Sequence, residues 1–277
     1  MDVLETLRET FFDLDAMREA LPDLITVGLP NTLLLAVVSA IIGTILGMAL
    51  AVAGLSRHRW LRWPARVWTD IFRGLPAAVT ILLIGVGLAP VGLQIWGNNP
   101  YPLGILALSL IASAYIGEIF RSGIQSVEAG QMEASRALGF SHNAAMRLVV
   151  IPLGVRRVLP ALVNQFISLI KESSLVYFLG LLASQRELFR IGQDYAANTG
   201  NQSALLLAGL FYLVITVPLT HAVNAIDHRL RHGRRSDGEH PEGSDGSDGS
   251  GGPRAGGSAA PDAPDAPAPA PARAPSP

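Results

Sequence analysis

Val127–Pro152 reads VEAGQMEASRALGFSHNAAMRLVVIP, a polar, small-residue-rich stretch between long apolar runs. Gln131–Leu138 is a run of good helix formers. Gly139 supplies a residue free to take a left-handed cap, and Ser141 is an N-cap for a following helix. The order predicts two short helices over 127–147 joined by a tight elbow. Met132, Ala137 and Leu138 make a small apolar patch, and the alanines with Gly139 let a partner come close. A plain surface hairpin linking two membrane spans would carry the same helix pattern.

What surrounds the elbow is membrane-like. Hydrophobic residues make up 49% of the 277 and charged residues 16%, with mean hydropathy +0.36, which points to an all-α integral membrane bundle. A net charge of −1 gives no reason to expect nucleic acid. The absence of cysteine removes disulfides, thiol nucleophiles and thiolate metal sites. His58, His142, His221, His228, His232 and His240 are scattered without ligand spacing, so no metal is expected.

Residues 1–23 are acidic and lack the basic start and short apolar core of a signal peptide. They are expected as an extracytoplasmic amphipathic lead-in, with Leu4, Leu7, Phe11, Phe12 and Leu14 near helical spacing. Leu24–Leu55 has no charge and is ample for one span, since a bilayer core takes about 20 helical residues. Gly43 and Gly47 share one face of it. Ser56–Arg66, with four arginines, Trp60 and Trp63, reads as a cytoplasmic loop. A second span is expected over 67–89, an external turn over Pro90–Pro102 and a third span over 103–122. That leaves the 127–147 island on the cytoplasmic side.

The fourth span is expected over Val158–Ala183, provided Lys171–Glu172–Ser173–Ser174 sits within the membrane. Ser184–Gln202 is polar and expected outside, and Ser203–Ile226 is the fifth span. Arg229, Arg231, Arg234 and Arg235 then mark the inside. The membrane domain is expected over 24–230, with the N-terminus out and the C-terminus in the cytoplasm. Residues 231–277, built largely of Gly, Ser, Asp, Pro and Ala, are expected to be a disordered cytoplasmic tail.

Charges inside a bilayer are costly and usually face a partner or a wet path. Asn164, Ser168 and Lys171 lie on one helical face with Glu172 beside them, and Lys171 is the chain's only lysine. Tyr115 and Glu118 share another face, with Arg121 one turn from Glu118. Asp70 and Arg73 lie one turn apart, Thr80 falls two turns along the Arg73 face, and Gly74 and Pro76 interrupt that helix. Arg156–Arg157 reads as an interface anchor. One reading is a pathway for a zwitterion, with Arg73 or Lys171 meeting a carboxylate and Glu118 or Glu172 an ammonium. The other is that these ions pair among themselves, Glu118 with Arg121 and Lys171 with Glu172.

Four segments together resemble the polar amino acid family of ABC permeases, the group of histidine and glutamine permeases. Phe72–Arg73–Gly74–Leu75–Pro76 is similar to its FRGTP segment, with Leu75 where threonine is usual. Ala114–Glu118 with Arg121–Ile124 resembles AYxAE…RGGI, departing at Gly117 and Ser122. Gly130–Ala134 with Ala137–Leu138–Gly139 resembles the EAA segment GQxEAAxALG, with Ser135 replacing an alanine. Asn164–Leu175 is similar to NEFISLLKDTSL. The resemblance covers roughly residues 31–230.

This likeness implies the type I importer permease fold, and Glu128, Gly130, Gln131, Glu133, Ala134, Ala137, Leu138 and Gly139 as the surface that couples to an ATPase. Paired with a second copy or a sister permease, and with an extracytoplasmic solute-binding protein, the chain would carry a polar amino acid through the plasma membrane. It needs no cofactor of its own. With no GxxxxGK[ST] loop it is expected to be non-catalytic, ATP being bound by the ATPase subunit. Rival readings are a stand-alone secondary transporter or channel using Glu118, Lys171 and Glu172 as a relay, a membrane enzyme, or a permease for an opine or a sulfur-containing amino acid. Five spans without an inverted repeat disfavour the first.

Overall fold

The computed structural model describes residues 3–232, with side chains to residue 225. The described residues are all-α, without strands. The expected lead-in is two helices, α1 (Val3–Phe11) and α2 (Leu14–Asp23), the second capped by Asp13, whose carboxylate accepts from the Asp15 and Ala16 amides. A π turn over Leu24–Gly28 leads into α3 (Leu29–Gly54). Then come α4 (Arg59–Gly74), α5 (Ala77–Gly85), α6 (Ala89–Trp96) and α7 (Tyr101–Gln125). The elbow is α8 (Ala129–Ala137), α9 (His142–Ala145) and a π turn over Met146–Val150. α10 (Ile151–Glu172), 3-10 turns over Ser173–Leu179 and Ala183–Gln185, α11 (Leu188–Thr199) and α12 (Ser203–His232) complete it.

The central contact is α3 against α7. Leu35, Ala36, Ser39, Gly43, Gly47 and Ala51 form the buried stripe of α3. Its small residues let the two backbones touch: a Cβ on Gly43 would lie 2.5 Å from Ala112 Cβ, and one on Gly47 only 2.8 Å from the Gly117 nitrogen. α7 is buried over most of its length, with Leu108, Ile111, Ala112, Ile116 and Phe120 in the core alongside Leu169 and Ile170 of α10.

The five-span expectation needs amendment in its second and fourth members. Residues expected as a cytoplasmic loop and a span interrupted at Gly74 and Pro76 form α4 and α5, bent by 106°. Pro76 is the cause: it pushes Leu75 to extended backbone (ψ 138°), and Gly74 before it ends α4. Thr80 therefore does not continue the Arg73 face. It is buried on α5, its hydroxyl 3.5 Å from the Pro76 carbonyl. The fourth helix starts at Ile151, not Val158, and stops at Glu172, where a 3-10 turn begins. Three runs, Val3–Gly54, Tyr101–Gln125 and Ser203–Ala225, are long and apolar enough to cross a membrane, and the bent pair brings this to four. α10 has the length, 22 residues, but carries Arg156, Arg157, Lys171 and Glu172.

The stretches expected as turns are also helical. Pro90–Pro102 contains α6, and Ser184–Gln202 contains α11. α11 is held by Glu187, which is fully buried. Its carboxylate accepts from the Phe189 and Arg190 amides, both at 2.6 Å, and from the Tyr212 hydroxyl at 3.0 Å. The Leu188 amide donates to Thr32 Oγ1 at 3.1 Å. α2 packs on the same assembly through Ala20, beside Leu24, Leu188, Ile191, Ala204 and Ala208. Asn201 ties down the lead-in, donating to the Glu9 carbonyl at 2.9 Å and to Asp13 at 3.0 Å.

One end of the bundle thus gathers α1, α2, α11 and the starts of α3, α7 and α12, with Tyr101 donating to the Asn31 carbonyl at 3.1 Å. The opposite end gathers the elbow, the ends of α3 and α7 and the start of α10. α12 runs to His232, and the remainder of the expected tail lies outside the described residues.

Candidate functional site

The elbow closes as its sequence requires. Gly139 stands at φ +87°, its amide donates to the Arg136 carbonyl at 3.0 Å, and the Phe140 amide donates to the Ser135 carbonyl at 3.2 Å. That pair of bonds is a Schellman turn, which satisfies carbonyls the helix end leaves open. Ser141 caps α9 by accepting from the Ala144 amide at 3.2 Å.

Glu128, Gly130, Gln131, Glu133, Ala134, Ala137, Leu138 and Gly139 are all exposed, and Leu138 is 80% open. Ser135 faces the other way, 5% exposed, with its hydroxyl donating to the Gln131 carbonyl at 2.7 Å. The serine departure therefore leaves the open face unchanged. That face is a strip of small residues with one protruding leucine, unoccupied by the chain's own side chains.

The elbow is anchored from behind. A Cβ on Gly154 of α10 would lie 2.8 Å from Ile124 Cα, and one on Gly123 would lie 2.8 Å from the Gly154 carbonyl oxygen. Arg157, expected as an interface anchor, donates to the Ser126 carbonyl and pairs with Glu128 at 3.8 Å. It bridges α10 to the start of the elbow.

A second feature is a polar pocket of about 250 Å³ between α3, α4 and α7. Gly54, Arg66, Asp70, Arg73, Glu118 and Arg121 lie along its wall. Glu118 is taken by Arg121, which donates from Nε at 2.9 Å and from Nη2, and whose Nη1 reaches Gln125 at 2.8 Å. Of the two readings open for Glu118, the ion pair is the one formed. The Arg73 guanidinium lies 5.6 Å from the Tyr115 ring centre, within cation–π range. Arg66, Asp70 and Arg73 make no ion pair within 4 Å among the described residues. Trp68 fixes α4 in place by donating to Ser113 at 3.1 Å.

The structure thus brings together Arg73, Tyr115 and Glu118 of the expected pathway residues. Thr80, Asn164, Ser168, Lys171 and Glu172 lie outside this pocket's wall. Asn164 and Lys171 are exposed on α10, Ser168 is half-buried, and Glu172 Oε2 is buried with no hydrogen-bond partner. No ion pair joins Lys171 to Glu172 among the described residues. Arg66 was missed as a pocket residue because its arginine-rich surroundings read as loop. The signal was present: Arg66, Asp70 and Arg73, at intervals of four and three, share one face of a helix.

Residues 24–232 match the model of the binding-protein-dependent transport system inner membrane component family. The chain belongs to that family. Among relatives of this permease, the arginine transport system permease protein ArtQ of Bacillus subtilis is 37% identical over 205 residues, covering 74% of the chain and 91% of ArtQ. The probable glutamine ABC transporter permease protein GlnM of the same organism is 34% identical over 203 residues, 73% of the chain and 91% of GlnM. A crystal structure of an amino acid ABC transporter with histidines contains a chain 32% identical, with a TM-score of 0.68 over 78% of this permease and 98% of that chain. The family is one of membrane transport subunits, and the fold is the importer permease fold.

Proposed function

We propose that this permease is the membrane-spanning subunit of an importer for a polar amino acid, driven by ATP bound and hydrolysed on a separate ATPase. The observation that carries the reading is the elbow's open strip from Glu128 to Gly139, in a chain whose relatives are amino acid permeases. A protruding Leu138 among alanines and glycines fits a shallow cleft on a partner, and Glu128 and Glu133 offer charge at its edge.

Charge asymmetry supports the orientation. Arg57, Arg59, Arg62, Arg66, Arg136, Arg147, Arg156 and Arg157 gather toward the elbow end, against Arg8, Arg18, Arg186 and Arg190 at the other. An arginine-rich end favours the cytoplasm, which supports a cytoplasmic elbow and N-terminal helices outside, toward a solute-binding protein.

The pocket supplies the cargo chemistry. With Glu118 neutralised by Arg121, Arg73 and Arg66 offer unpaired guanidinium groups to a carboxylate, and Asp70 offers a carboxylate to an ammonium. The exposed Asn164–Lys171 stripe gives a second polar surface. On an isolated span it would face lipid, so it favours a path shared with a second copy or a sister permease. ATP-driven closure of the ATPases would then bias two arrangements of the spans.

The test is uptake into liposomes holding this chain with its ATPase and binding protein. Labelled polar amino acids should enter only with ATP inside and the binding protein outside. Uptake by the chain alone, down an ion gradient, would overturn the reading in favour of a secondary transporter.

A further inference from the structure

At the elbow end, on the outer side of the bundle, lies a groove of about 740 Å³. It follows α3 from Ile45 through Val52 to Arg57 and His58, a little under three turns of helix and the loop beyond it. Met146 and His142 of the elbow's second half and Ile151 at the start of α10 form the facing wall. Ile45 and Val52 are exposed to the surroundings of the bundle, and so are Arg57 and His58.

The groove is therefore apolar along the span and cationic where the span ends, and no carboxylate lines it. Exposed Trp60 and Trp63 in the next helix mark the same depth as a water–bilayer boundary. A molecule with an alkyl chain and an anionic head, separated as the two ends of the groove are, matches this profile. Basic pockets between spans on the cytoplasmic side bind anionic head groups for the same electrostatic reason.

We propose that this groove is a binding site for an anionic phospholipid of the inner leaflet. The acyl chain lies along Ile45–Val52 and the phosphate meets Arg57, His58 and His142. Because one wall is the span α3 and the other the elbow, the bound lipid braces the coupling element against the bundle. The inference uses the membrane placement of α3 and holds whichever solute is carried.

The test is native mass spectrometry of the full chain released from micelles holding equal phosphatidylglycerol and phosphatidylcholine of identical acyl chains. Wild type should retain phosphatidylglycerol by ~5-fold or more over phosphatidylcholine, the ratio that one basic residue near an anionic head group supports. Arg57→Gln with His142→Gln should bring the ratio to parity, and Met146→Trp, which fills the groove, should remove both adducts. Arg59→Gln, two residues on and outside the lining, should change nothing.

Equal retention of the two lipids by wild type overturns the proposal. So does an equal loss in Arg59→Gln, which would mean diffuse surface charge. Displacement by excess inorganic phosphate would mean a free-anion site, and displacement by added ATPase a protein contact. Either also overturns it. The readout is lipid mass, so its failure is separate from any failure of the transport assay.

Discussion

Gly139 sits at φ +87°, where a side chain meets strain even though a Cβ there would touch nothing within 4 Å. The prediction is specific to backbone, not to space. Gly139→Val should cost about 1–2 kcal/mol locally, open the turn and abolish copurification with the ATPase while the protein still inserts. Gly139→Asn, which tolerates left-handed backbone, should retain most of the association. Equal behaviour of the two variants would refute this account. Glu187 shows what was not legible. It lies in a polar stretch and looks exposed, yet its partner Tyr212 comes from α12, and Thr32 of α3 accepts from the amide of the next residue, Leu188. Burial pushes its carboxyl from 4.5 up to about 7, against the opposing pull of the Phe189 and Arg190 amides and Tyr212. A folded pKa above the unfolded one means that the folded form holds more protons between those values. Stability should therefore fall as pH rises from about 4.5 to about 7, and Glu187→Gln should flatten that slope in thermal melts.

Among the elements, the α7–α10 crossing carries the elbow, and it depends on having no side chain at two positions. Gly154→Leu would drive a Cβ to 2.8 Å from the Ile124 backbone. It should destabilise by about 1–3 kcal/mol, seen as a lower melting temperature in detergent, and loosen the elbow to protease. An unchanged melting temperature would mean that the helices do not meet there. Helix-forming residues and caps made the elbow readable because their chemistry is local. The second span was harder. Pro76 and Gly74 announced a break, but not that the chain would turn by 106°, since that angle is set by what α4 and α5 each pack against. The amphipathic stripe of α4 was on the page as Arg59, Arg62, Arg66, Asp70 and Arg73, but arginines beside tryptophans read first as loop.

For the molecule as a whole, the pocket and the elbow make separate predictions. Arg73→Gln should lower ATP-dependent uptake by ~10-fold, the loss expected when a charge-assisted hydrogen bond is removed, with ATPase association intact. Unchanged uptake would exclude Arg73 from the path. The family and the all-α bundle were visible in the four segments from Phe72 to Leu175 together, because spans must satisfy their backbone internally and so carry long apolar runs. Which polar groups share a cavity was not, because that depends on helix rotation across three elements. The Arg157 bridge follows from the same kind of distant pairing. It fastens α10 to Ser126 and Glu128, while the chain itself fastens α10 to α9. A pull on α8 is therefore delivered to α10 from both sides at once. The elbow cannot pivot like a flap on a single thread. On the proposed coupling, it would carry along the helix that displays Asn164 and Lys171, so that the stroke and the opening of the route would be one displacement.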